Sequence, residues 1–137
     1  MKTVKTGITL PNDLLRDVAE FMKETNIRSR SKLISEALRM YLAERKFLLQ
    51  RVSEVVGGVF IVYNHERGET LMRLVDVQHK YLDIIKSVLH MHITHEKCME
   101  ILVIEGKTDK IRELVSALEN IIGVELVRII TVEKKGI

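Results

Sequence analysis

The sequence predicts an α+β protein in two modules, a β-α-α segment over 1–50 and a β-α-β-β-α-β module over 51–137. Three observations carry this. Alternating residues at 4–10 give way to two stretches of helical periodicity. From Gly57-Gly58 onward, β-rich runs and two amphipathic helical runs follow the order of a split βαβ arrangement. Charge divides the same way: ten Lys/Arg against six Asp/Glu in 1–50, twelve against thirteen in 51–137.

In VKTGITL, residues 4–10, Val4, Thr6, Ile8 and Leu10 share one face of a short strand and Lys5, Gly7 and Thr9 the other. Pro11 ends that strand. Asn12 is placed to cap a helix running to about Thr25, with Leu14, Leu15, Val18, Phe21 and Met22 at helical spacing. After a break at 26–30, a second helix begins at about Ser31, carries Leu33, Ile34, Ala37, Leu38, Tyr41 and Leu42, and runs to near Gln50. The second module reads as strand 58–64, turn 65–68, helix 69–87, strand 89–94, strand 98–105, helix 107–122 and strand 124–132. Both helices are expected on one face of an antiparallel sheet.

A chain of 137 residues divided in this way buries a modest core in each module, so oligomerisation is expected. The first strand has no neighbour in sequence to pair with. Its simplest partner is its own copy, which makes an antiparallel ribbon backed by four helices and an obligate dimer. With 46% hydrophobic and 30% charged residues, no membrane-spanning run and no signal-peptide pattern, the chain is expected to be soluble and cytoplasmic, without a membrane partner. The basic front segment suits a polyanion. No P-loop, nucleophile elbow or paired-carboxylate motif is present, so no enzyme is expected.

Three of five histidines and the single cysteine crowd into LHMHITHEKC, 89–98. A lone Cys98 cannot form an internal disulfide, which leaves a buried apolar residue, a reactive thiol or a metal ligand. His90 and His92, two apart on a strand, face the same way, and a turn centred on His95 puts Cys98 opposite His92 and Glu100 opposite His90. Two imidazoles and a thiol thus converge, with one donor missing. His79 lies about a quarter turn off the apolar stripe of the preceding helix, so it points sideways and is suited to reach a neighbouring subunit. Three imidazoles and a thiolate suit Cu(II), Ni(II) or Zn(II). His65 and His95 fall in turns, where exposure is the default, and stand outside this set, available for weaker metal binding.

The first module resembles the ribbon-helix-helix (CopG-like) family of DNA-binding proteins, on its short strand, Leu10-Pro11, and Arg30-Ser31 opening the second helix. The second resembles the ferredoxin-like ACT-type regulatory domain. The spacing His79, ten residues, His90, one residue, His92, five residues, Cys98 resembles the ligand signature of the nickel-responsive transcriptional regulators, the NikR family.

That resemblance implies a homotetramer, a dimer of dimers, with one Ni(II) per subunit held square-planar by His90, His92 and Cys98 of one chain and His79 of another. It implies hydrogen-bonding support from Tyr63, Gln78 and Glu100. It also implies that Ni(II) at the tetramer interface promotes binding of palindromic double-stranded operator DNA and repression of nickel-uptake genes. The alternative is a ribbon-helix-helix regulator whose ACT-like module senses another metal or a small molecule. Lys5, Gly7 and Thr9 are placed to address base edges, though Gly7 lacks the polar side chain expected there. Arg28, Ser29, Arg30 and Ser31 offer cations and helix N–H groups to phosphates. Where the family implies an interdomain alkali-cation site held by acidic residues, this chain has Lys32 and Glu36, an i,i+4 pair whose ammonium can replace the cation.

Overall fold

The computed structural model describes residues 2–46, 49 and 52–134, and the chain divides into two compact units, 1–40 and 41–137. In the first unit the expected strand at 4–10 is not formed. Residues 2–11 have no ladder partner among the described residues and, apart from Leu10, are exposed. A strand exists through hydrogen bonds to a neighbour, and one chain supplies none here. Helix α1 spans Asn12–Glu24. Pro11, not Asn12, stands at its N-cap, and no side chain caps it. The Pro11 carbonyl instead accepts the first helical bond, from Leu15 N–H at 2.9 Å.

The end of α1 is built by Asn26, whose φ of 56° lies in the left-handed region that asparagine tolerates. This lets Ile27 N–H reach back to the Met22 carbonyl at 3.1 Å, the 6→1 bond of a Schellman ending. Helix α2 spans Arg30–Arg45. Ser29 caps it, its Oγ accepting Lys32 N–H at 3.1 Å. The expected continuation of α2 toward Gln50, and the boundary expected at 50/51, fall on 47, 48, 50 and 51, outside the described residues. Leu15, Val18, Met22, Leu33 and Ile34 are only half-buried, and neither helix buries any residue completely.

The second unit holds β1 (Glu54–Asn64), α3 (Thr70–Lys80), β2 (Ile85–His92), β3 (Lys97–Lys107), α4 (Thr108–Glu119) and β4 (Val124–Glu133). The four strands form one antiparallel sheet in the order β2-β3-β1-β4, the ferredoxin-like arrangement. Strand β1 starts four residues earlier than expected and runs straight through Gly57-Gly58. Gly57 is required there, because a Cβ would overlap the Ile130 carbonyl of β4. Helix α3 ends at Lys80, not near residue 87. Tyr81 and Ile84 turn into the core, and the β-branched Ile84, Ile85 and Val88 favour the strand that follows.

Alternation gives the sheet two faces. One buries Val55, Val59, Ile61 and Tyr63 of β1, Leu102 and Ile104 of β3 and Ile129 of β4 against Leu74 of α3 and Ile111, Leu114, Val115 and Leu118 of α4. The other carries Leu89, Met91, Phe60, Val103, Ile130 and Val132, all exposed in the single chain.

Also within 41–137, Arg128 of β4 donates two bonds of 2.5 Å to Glu44. That guanidinium holds the Glu44 carboxyl below its ordinary range. A depressed carboxyl contributes stability above its unfolded value, about 4.3, and loses it as pH falls through the folded value. Arg128 is largely exposed, so the effect is modest. Arg128→Gln is expected to lower the thermal midpoint by a few degrees at neutral pH and to converge with the parent in acid, as followed by circular dichroism across pH.

Candidate metal centre

The hairpin between β2 and β3 sets the site. Ile93 and Thr94 N–H groups donate to the Lys97 carbonyl at 2.9 and 3.1 Å, and Thr94 Oγ1 accepts Glu96 and Lys97 N–H at 3.3 and 3.1 Å. This closed turn pairs His92 with Cys98 and His90 with Glu100. The ligand atoms of His90, His92 and Cys98 all lie within 4.8 Å of one another. Cys98 Sγ is 3.2 Å from His92 Nδ1, and the two imidazoles stand edge to face with centroids 4.8 Å apart. The thiol is buried while both rings are exposed, so the cluster opens at the sheet edge formed by β2.

Beneath it lies a hydrogen-bonded network centred on the buried Glu100. Tyr63 O–H donates to Glu100 Oε1 at 3.1 Å, Gln78 Nε2 donates to Oε2 at 2.5 Å, and His90 Nδ1 stands 3.2 Å from Oε1. A carboxylate only accepts, so His90 Nδ1 carries the proton and Nε2 keeps the lone pair that a metal needs. Burial, followed by the Glu100 charge, pushes the Tyr63 phenol well above its ordinary range. Tyr63 therefore remains a donor.

His79 is exposed near the end of α3, beyond Gln78, and does not join the three donors. The apolar stripe of α3 is shorter than a helix to residue 87 would carry, since the helix ends at Lys80 and Leu82 and Ile85 lie beyond it. Thr70 and Leu74 are buried and Val77 and Gln78 half-buried, so the inward side still runs toward Gln78. His95 is exposed and paired with Glu66 at 3.4 Å. His65, expected to stand apart in its turn, instead places Nδ1 3.4 Å from Cys98 Sγ. Sequence spacing carries no signal for that approach between residues 33 apart. In the first unit Lys5, Gly7, Thr9, Arg28, Ser29, Arg30 and Ser31 are all exposed. Lys32 and Glu36 pair at 3.8 Å on the surface of α2.

The family described as NikR C terminal nickel binding domain matches residues 56–132, more than half of the chain. A protein of Methanocaldococcus jannaschii named as a candidate nickel-responsive regulator is 34% identical over 125 residues, 91% of this chain and 89% of its own. One of Methanopyrus kandleri with the same name is 38% identical over 135 residues, 97% and 94% of the two chains. The chain belongs to the NikR family. Among solved structures, the ACT domain of the GTP pyrophosphokinase of Chlorobium tepidum covers 57% of this chain and all of its own at 21% identity, with a TM-score of 0.49.

The matched region of this NikR family member contains all three converging donors and their supporting network. Their spacing suits one ion. With bonds of about 2.0–2.3 Å, donors on opposite sides of an ion stand about 4.4 Å apart and adjacent donors closer. The 4.8 Å limit exceeds that by a few tenths of an ångström, within reach of small side-chain rotations.

Proposed function

We propose that this chain is a nickel-responsive, DNA-binding transcriptional regulator of the cytoplasm that acts as a homotetramer and represses nickel-uptake genes. The observation that carries the reading is an incomplete donor set: two imidazoles and a thiol converge at an open sheet edge, and the third imidazole of the signature, His79, is exposed elsewhere. In the reading proposed here, His90, His92 and Cys98 of one chain and His79 of the partner subunit hold one Ni(II) per subunit. When bound, the ion supplies a four-donor link between two chains.

Tyr63, Gln78 and Glu100 fix the His90 ring before the ion arrives, which reduces the ordering cost of binding. Two separate surfaces support a dimer of dimers. The first unit leaves Val4, Ile8, Leu14, Phe21 and Leu38 exposed, which suits an intertwined ribbon-helix-helix dimer. The open sheet face and the exposed Leu71, Met72 and Val75 of α3 suit assembly of the second module. The paired ribbon then presents Lys5, Gly7 and Thr9 to base edges, and Arg28, Ser29, Arg30 and Ser31 to phosphates. Linkage requires operator DNA to tighten nickel binding by the factor by which nickel tightens DNA binding.

The test is operator binding with and without one equivalent of Ni(II), in the parent and in His79→Ala. The parent binds only with nickel, and the variant loses that response while keeping its dimer. Nickel-independent binding of equal strength overturns the reading. Lys5→Ala is expected to weaken operator binding about tenfold, the worth of one base contact, with nickel affinity unchanged in a parallel titration. Lys32 stands 3.8 Å from Glu36 where the family implies a bound cation, so operator affinity is expected not to depend on potassium at constant ionic strength. A steep rise with potassium contradicts that.

A further inference from the structure

The last turn of α2 and described residues after it are bonded point by point to α4 and β4, all within 41–137. Arg45 donates to Glu119 at 3.5 Å, and Arg112 donates to the Leu49 carbonyl at 3.1 Å. Ser53 N–H donates to Thr108 Oγ1 at 3.2 Å, and the Ser53 carbonyl accepts Thr108 N–H at 3.0 Å. The partners 119, 112 and 108 run in reverse along α4, as under a strap. Glu44 adds the paired bonds from Arg128 of β4, and its side chain is only 11% exposed.

Strand β1 joins this strap to the donor cluster, since it lies between β3, which carries the thiol, and β4, which carries Arg128. Its Tyr63 is the register partner of Cys98 and bonds to Glu100, while its Phe60 is the register partner of Arg128. The two positions are about 10 Å apart along one strand. In the other direction α2 is a single helix from Arg30 to Arg45, so whatever holds its last turn acts along a stiff rod of about 24 Å. The strapped posture also carries a cost: Arg45 Nε is buried with no partner among the described residues. A buried N–H without an acceptor opposes the attraction of Glu44 to Arg128, and two opposed contributions of this kind make an element that a third can bias.

We propose that this strap is the link by which an ion at the β2–β3 hairpin biases the end of α2, with Glu44 and Arg128 as its clasp. This rests on the nickel-responsive reading above. In that reading neither residue touches the metal or DNA, and both are positioning residues. With the clasp closed, the last turn of α2 follows β4. With it open, the turn is released from the sheet, and a change at the hairpin no longer reaches the helix.

Operator binding with and without one equivalent of Ni(II) is measured in the full-length parent, Arg128→Gln, Arg128→Lys and the exchanged pair Glu44→Arg with Arg128→Glu. Nickel affinity without DNA is read by competition with a chelator, and amide hydrogen exchange of residues 41–45 is followed in the metal-free protein. Arg128→Gln is expected to cut the factor by which nickel tightens operator binding about fivefold or more and to leave nickel affinity without DNA within about twofold. The same variant is expected to speed exchange in 41–45 about fivefold or more. Arg128→Lys and the exchanged pair keep opposite charges and are expected to retain most of the factor. An unchanged factor in Arg128→Gln overturns the proposal. So does an equal loss in all three variants, which assigns the effect to the position and not to the ion pair, and so does nickel affinity that falls in step, which makes the clasp part of the metal centre. A parent whose operator binding ignores nickel overturns the earlier reading instead, before any variant is compared.

Discussion

Cys98→Ser is expected to weaken Ni(II) binding by about a hundredfold or more, since one strong donor of a four-donor site is lost. The thiol is 2% exposed and sits between His92 at 3.2 Å and His65 at 3.4 Å. Burial of this kind shields the metal–sulfur bond from water, and the two imidazoles leave the sulfur little freedom to move. A serine hydroxyl fills nearly the same space and can bond to the same imidazoles, so the fold is expected to survive. It does not ionise under ordinary conditions, however, and is a poor partner for a borderline-soft ion. Competition titration measures the loss, and the thiolate-to-nickel charge-transfer absorption disappears with it. Because the thiol gives up its proton on binding, nickel affinity of the parent is also expected to fall as the medium is acidified. A serine variant that keeps both the affinity and the absorption removes Cys98 from the site.

Leu102→Ala is expected to cost about 2–5 kcal/mol of unfolding free energy. Leu102 is fully buried in the middle of β3 and faces Val59 of β1 and Val88 of β2 across the ladder. The position joins the central strand pair to the edge strand that carries His90 and His92. Truncation leaves a cavity that the paired strands cannot close without breaking ladder bonds, and such a loss is large beside the total stability of a small domain. Chemical denaturation of the metal-free protein measures it. A cost below about 1 kcal/mol shows that the core relaxes around the cavity. Nickel binding to the folded variant is expected to weaken only slightly, because the hairpin turn that sets the His92 and Cys98 register is closed by Thr94 and Lys97, away from Leu102.

The second module was legible where the physics is local. Alternation along β3 and β4 and the helical spacing of α4 depend on neighbouring residues alone, and the elements fall in the expected order. The donor triad was legible for the same reason, since a hairpin brings residues 90–98 together without reference to the remainder of the chain. What sequence reading missed depends on tertiary choices. Helix α3 stops at Lys80 because Tyr81 and Ile84 are drawn into the core, and no Gly or Pro announces that. Gly57-Gly58 look like a boundary and lie inside β1, because a neighbouring strand comes too close for a side chain at Gly57. His65 meets Cys98 only because Tyr63 and Cys98 are register partners and the turn folds back over the hairpin. The segment 4–10 carries a strand pattern that one chain leaves unpaired, because alternation along a chain sets the faces of a strand and supplies no neighbour for its hydrogen bonds.

The measurement closest to the central claim is an anomalous-difference map at the nickel absorption edge, from crystals of the protein grown with one equivalent of Ni(II). The account predicts one peak per chain, within bonding distance of about 2 Å of His90, His92 and Cys98, with His79 of the partner subunit completing the set. A peak elsewhere, or one bonded to donors of a single chain without His79, contradicts it.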